Sequence, residues 1–167
     1  MAYLVKTDYS RLIAITLLDE ILIQAVEAGA GLTADQCLDN ATLMAQAQVS
    51  AYLNPVFDMT AEFAKVSGDP TQNLNIMRAV IHLALCNLHH TINPHDVPEM
   101  RRTACNDLLG REGELAAVRE GELDWGLPAY PDNGTGTAPA GRTMISSAKK
   151  FISKPFTDPS VIGTPNE

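Results

Sequence analysis

Between Asn73 and Arg102 the chain reads NLNIMRAVIHLALCNLHHTINPHDVPEMRR, and Leu74, Met77, Ile81, Leu85, Leu88 and Ile92 recur in it at steps of three and four. That spacing places side chains on one face of an α-helix. Ile76, Val80, Leu83 and Ala84 add a second apolar strip, so more than half the circumference is apolar and the helix is expected at the centre of a domain. Asn93-Pro94 ends it, because the residue before a proline is pushed out of the helical region. Pro98 then suits the first turn of another helix, where no backbone donor is missed. An αα-hairpin with a short, stiff corner is the prediction.

Upstream, Thr7 and Asp8 offer N-cap chemistry, and Leu12, Leu17, Leu18, Ile21, Leu22 and Val26 carry a helical stripe that stops at Gly29-Ala30-Gly31, which predicts one broken helix or two short ones. Thr33 with Gln36 has the pattern of a capping box and opens an Ala-rich helix that runs to Leu53. Its light face of Leu38, Ala41, Ala45, Val49 and Tyr52 lets a neighbouring helix come close. A short helix is expected within Met59 to Val66, and Ser67-Gly68-Asp69-Pro70 reads as a turn.

Beyond Pro98, Met100, Ala104, Leu108, Leu115 and Val118 form the packing face of a last helix that Gly110 and Gly113 interrupt. Each interior glycine costs about 1 kcal/mol against alanine, which makes this the least secure helix. After Leu127-Pro128 the periodicity stops and the composition is that of a linker. The expected fold is therefore all-α: a small bundle of about four to five helices over residues 1–128, built on a central long helix and its hairpin. Residues 129–167 are expected to form an extended arm broken by proline and glycine.

Composition narrows the function without naming it. With 167 residues and 46% hydrophobic content the chain suits one core. A net charge of -8 argues against a free-standing nucleic-acid binder, and a DNA-packaging or regulatory subunit would need a basic face that the first 120 residues lack. Cys37, Cys86 and Cys105 are odd in number and have no CxxC spacing, so neither a disulfide framework nor a zinc ribbon is expected and a reducing compartment is preferred. Leu12 to Val26 carries Asp19 and Glu20 in its middle, which excludes a membrane-spanning helix or a signal-peptide core, and no membrane partner is expected.

Motifs for nucleophilic, phosphate-binding and metalloprotease chemistry are absent, and Gly134-Thr135-Gly136 does not continue as a dinucleotide fingerprint, so neither an enzyme nor a cofactor is expected. One constellation carries an alternative. His82, Cys86 and His89 share a helix face, with His90 beside them, and imidazole and thiolate both ligate zinc. A small metal-binding or hydrolytic helical protein is thus the competing reading. Three ligands from one helix cannot close a tetrahedral site without a fourth, for which His95 is the candidate, so capped carbonyls or subunit contacts are the stronger account. Arg101-Arg102 reads as solvated charge or as one side of an intersubunit salt bridge. In the arm, Arg142, Lys149, Lys150 and Lys154 have no acid among them, and Ile145, Phe151, Ile152 and Phe156 are apolar anchors for docking on an acidic partner.

The run Leu88, His89, Ile92, Asn93, Pro94, Val97, Pro98, Glu99 and Arg101, with Val118 to Leu123 and Leu127-Pro128 after it, resembles helical tailed-bacteriophage proteins of the head-to-tail connector class. The opening Met1-Ala2-Tyr3-Leu4 and the Asp35 to Leu53 helix are similar too, so the resemblance covers about residues 1–128. Two departures fall in the last helix: Asp107-Leu108 stands where an Arg-Tyr pair is usual, and Glu114 where an aromatic is usual. The resemblance implies an adaptor ring in the virion neck, commonly of about twelve copies, assembled in the host cytoplasm. Its implied partners are the portal protein, neighbouring copies, tail or further neck proteins, and genomic DNA passing during ejection without sequence-specific binding.

Overall fold

The central helix runs over Leu74–Ile92 in the computed structural model, which describes residues 2–29 and 31–127. A 3-10 turn, Lys6–Arg11, precedes α1 (Ile15–Ala28), α2 (Ala34–Leu53), α3 (Met59–Phe63), α4 (Leu74–Ile92), α5 (Glu99–Leu109) and α6 (Glu114–Glu120). Among the described residues the fold is all-α, without a β-strand, and no helix is long and apolar enough to cross a membrane.

Both apolar strips of α4 are covered, with Ile76, Met77, Val80, Ile81, Leu83, Ala84, Leu85 and Leu88 buried. Its main neighbour is α2, which buries Leu38, Ala41, Ala45 and Val49. The alanines facing it permit that close approach. α1 covers a second side through Leu18, Ile21, Leu22 and Ala25, and α5 covers a third. Leu74, assigned by its spacing to the buried face, is 64% exposed. It is the first residue of α4, and helical side chains lean toward the N-terminus, so it projects beyond the packed part.

The capping box is present. Gln36 N–H donates to Thr33 Oγ1 at 3.3 Å, and Thr33 N–H donates to Gln36 Oε1 at 2.9 Å. The predicted break before α1 is also present, but Thr7 and Asp8 lie inside the 3-10 turn rather than capping α1. Asp8 instead accepts from Val5 N–H at 2.8 Å and from the Ser67 hydroxyl at 2.7 Å, tying the N-terminus to the loop before α4.

The single last helix is two. Gly110 ends α5 and Gly113 precedes α6, so neither sits in a helix interior and the expected propensity cost does not arise there. Leu108, Leu115 and Val118 are buried as expected, whereas Met100 is 79% exposed. Half-buried Cys105 and buried Leu108 mark the inward face of α5, and Met100 falls outside that row. Leu108 is buried, and Glu114 pairs with Arg78.

Tyr9 is wholly buried, its hydroxyl 2.6 Å from Thr42 Oγ1. The Thr42 hydroxyl itself donates to Leu38 O at 2.7 Å, which leaves Tyr9 as the donor to Thr42. Burial pushes Tyr9 up to about 12, and it also pushes Tyr3 up, helped by the Glu62 charge. Above the ordinary tyrosine value the unfolded chain therefore loses protons that the native chain keeps, and stability falls as pH rises. Urea denaturation between pH 10 and 12 should show a slope approaching about 2.7 kcal/mol per pH unit for two such tyrosines, and Tyr9→Phe should roughly halve it. A flat profile would contradict this assignment of the protons.

Candidate functional site

The αα-hairpin corner is built by Asn93. Its own N–H closes α4 on His89 O at 2.9 Å, while its side-chain oxygen accepts from His95 N–H at 3.1 Å and its carbonyl from Asp96 N–H at 3.2 Å. Pro98 O then receives Arg101 N–H at 2.9 Å and Arg102 N–H at 3.0 Å, which starts α5. The corner residues singled out by the resemblance lie at the surface: Asn93, Pro94, Pro98 and Glu99 are exposed, and His89 and Arg101 are half-buried.

Arg101 makes no ion pair among the described residues. Its own burial pulls its pKa down. His82 and His89 are held below the ordinary histidine value first by burial and next by the Arg101 charge. Both imidazoles are thus biased toward neutrality, and Arg101 is a partly desolvated cation without a carboxylate among the described residues. Such a fork is suited to bidentate recognition of a carboxylate presented by another surface.

Arg78, one turn before His82 on α4, is already engaged. It pairs with Glu114 and lies over the Trp125 ring with 5.9 Å to the centroid. Buried Arg78 Nε and His82 Nδ1 have no hydrogen-bond partner among the described residues.

The cysteines depart from expectation. Cys86 on α4 and Cys105 on α5 form a disulfide across the hairpin, their Cα atoms 6.8 Å apart and 19 residues apart in sequence, and Cys37 is the buried free thiol. Spacing could not reveal this, because helices folded back on each other bring together positions with no short motif. The cysteine count therefore carries no argument for a reducing compartment. With Cys86 bonded to Cys105, His82, Cys86 and His89 do not form a ligand set, and among the described residues no three His, Cys, Asp or Glu side chains could hold a metal ion. His95, the candidate fourth ligand, is exposed.

A buried polar cluster escaped the sequence reading. Glu62 of α3, at 0% exposure, accepts from Tyr3 OH at 3.0 Å and from Asn73 N–H at 2.8 Å, and pairs with Lys65. Lys65 also donates to Thr71 O at 2.7 Å, and Gln72 Nε2 donates to Tyr3 O at 2.8 Å. Asn73 caps α4 through Asn75 N–H and Ile76 N–H and reaches Trp125 O at 2.6 Å. This cluster joins the N-terminus, α3, the start of α4 and the chain after α6, and so fixes the frame from which the corner projects.

Arg142, Ile145, Lys149, Lys150, Phe151, Ile152, Lys154 and Phe156 lie outside the described residues. No protein-family model, curated protein or solved structure matches the chain.

Proposed function

We propose that this chain is a structural protein of a virion, a head-to-tail connector whose copies form a ring beneath the portal, join the capsid to the tail and surround part of the DNA channel. The observation that carries the reading is Arg101, a half-buried guanidinium without a carboxylate partner among the described residues, set in an exposed corner whose residues match the connector pattern. An adaptor needs such a surface, since a cation left unpaired in the free chain gains its partner on assembly. The net charge of -8 fits a channel wall along which DNA slides without adhering. In this reading the basic and apolar residues from Arg142 to Phe156 clasp the portal or a neighbouring copy.

The test is to mix the purified chain with the portal ring of its own particle and observe the product by electron microscopy and mass photometry. A closed ring of this chain seated on the portal is expected. Arg101→Glu should weaken seating at least about tenfold, as loss or reversal of a desolvated pair across an interface does, with the circular dichroism of the free chain unchanged. A chain that remains monomeric and unbound beside the portal at micromolar concentration would overturn the reading.

A further inference from the structure

We propose that Cys86 and Cys105 are a reversible thiol–disulfide pair that decides whether the corner from Asn93 to Ala104 is pinned to α4. Three features of the hairpin lead there. The first is the uneven attachment of α5. Its C-terminal half is held by buried Leu108 and by Tyr52, whose hydroxyl donates to Leu109 O at 2.5 Å, but nothing N-terminal to Cys105 on this helix is buried. The disulfide is thus the one covalent hold on the corner side of α5.

The second feature is access. Cys105 is half-buried on the outer helix while Cys86 is 5% exposed on the central one. Thiol exchange follows access, so an external thiol or disulfide reaches Cys105 first and Cys86 acts as the resolving partner. The third is that the dithiol has places for its protons. Cys86 Sγ lies 3.2 Å from Arg101 O and Cys105 Sγ lies 3.8 Å from His82 O in the bonded state, so a carbonyl stands beside each sulfur to accept from the thiol that reduction would form.

The reaction needs a low-molecular-weight disulfide such as glutathione disulfide. Cys105, as its thiolate, attacks one sulfur of that disulfide, a protein–glutathione S–S bond forms, and one glutathione thiolate leaves. Cys86 gives its proton to solvent and attacks Cys105 Sγ, and the second glutathione leaves as thiolate. Two protein thiols are oxidised and one disulfide is reduced to two thiols. Reduction runs the same two exchanges backward, with a small thiol opening the bond at Cys105.

Oxidation closes a loop containing Asn93-Pro94 and Pro98 and removes open states of the corner, while reduction returns them. The surface governed in this way holds exposed Met100 and half-buried Arg101. Neither the exchange nor its readout depends on the connector reading, because both are measured on the isolated chain.

The full chain is equilibrated with glutathione disulfide or with a phosphine reductant, its thiols are counted by alkylation in denaturant, and amide exchange is followed by mass spectrometry. Oxidised protein should retain one alkylatable thiol, at Cys37, and reduced protein three. Exchange over residues 93–104 should speed about a hundredfold on reduction, the scale expected for opening a loop of this length, while residues 76–88 of α4 remain unchanged. Cys105→Ala should match the reduced parent in both buffers, and should that variant fail to fold, the parent compared in its two redox states decides alone. Equal protection in both states, a loss spread evenly over every helix, or three alkylatable thiols after oxidation would each overturn the proposal.

Discussion

Glu62→Ala is expected to cost about 3–5 kcal/mol of folding stability, the range for removing one partner of a buried, hydrogen-bonded ion pair. Glu62 is fully buried, and its two oxygens serve three donors from three parts of the chain: Tyr3 OH, Asn73 N–H and Lys65 Nζ. Alanine strands all three. The Lys65 ammonium retains Thr71 O and has some access to water, so it is not the main loss. The Tyr3 hydroxyl is worse placed, since Tyr3 is 3% exposed and its ring stands edge-on to Phe63 at 5.0 Å, which prevents an easy turn toward solvent. Asn73 N–H sits at the start of α4, where first-turn donors have no partners within the helix. Glu62→Gln keeps an acceptor for Tyr3 and Asn73 but loses the charge facing Lys65, so it should cost about half as much. Urea denaturation at pH 7 measures both, and a Glu62→Ala loss under about 1 kcal/mol would show that the cluster is not holding the N-terminus and α3 to α4.

What the sequence disclosed and what it hid divide along one physical line. α4 and α2 were legible because their signals are local: an apolar period of three to four, a Thr33–Gln36 box, and an Asn-Pro stop. Glu62 was not, because its partners Tyr3 and Asn73 lie 59 and 11 residues away and nothing within α3 marks it as buried. Cys86–Cys105 depends in the same way on the hairpin fold. Trp125 gave no periodic signal, yet it is buried, with Arg78 over its ring and its carbonyl held by Asn73. At the candidate site the position of the corner could be read from Asn93, Pro94 and Pro98, whereas the lack of a carboxylate for Arg101 among the described residues is a tertiary fact. The glycines show a subtler failure. For Gly110 and Gly113 the sequence offers helix propensity, a property of single residues, whereas their role is set by what surrounds them.

That role gives the second large effect: Gly113→Ala should destabilise by about 3 kcal/mol, at the upper end of the overpacking range. The backbone of Gly113 has φ -77° and ψ 167°, a conformation open to any residue, so glycine is not required there for its torsional freedom. Space is the reason. A Cβ at this position would lie 2.7 Å from Leu108 O, 2.8 Å from Gly110 N and 2.9 Å from Asp107 O, all backbone atoms that cannot swing aside as a flexible side chain would. Relief demands that the end of α5 move away from the start of α6. That end is fixed by buried Leu108 and by the Tyr52 hydroxyl on Leu109 O, and α6 is fixed by buried Leu115 and Val118. The strain therefore has no cheap outlet. Gly121 provides the contrast within the same segment: it ends α6 at φ 79° with open space where a Cβ would go, so Gly121→Ala should lose only about 1–2 kcal/mol, the cost of a left-handed alanine. Denaturation of the two variants side by side separates crowding from torsion. Gly113→Ala within about 0.5 kcal/mol of the parent, or less damaging than Gly121→Ala, would mean that α5 and α6 are not clamped as closely as their backbone contact indicates.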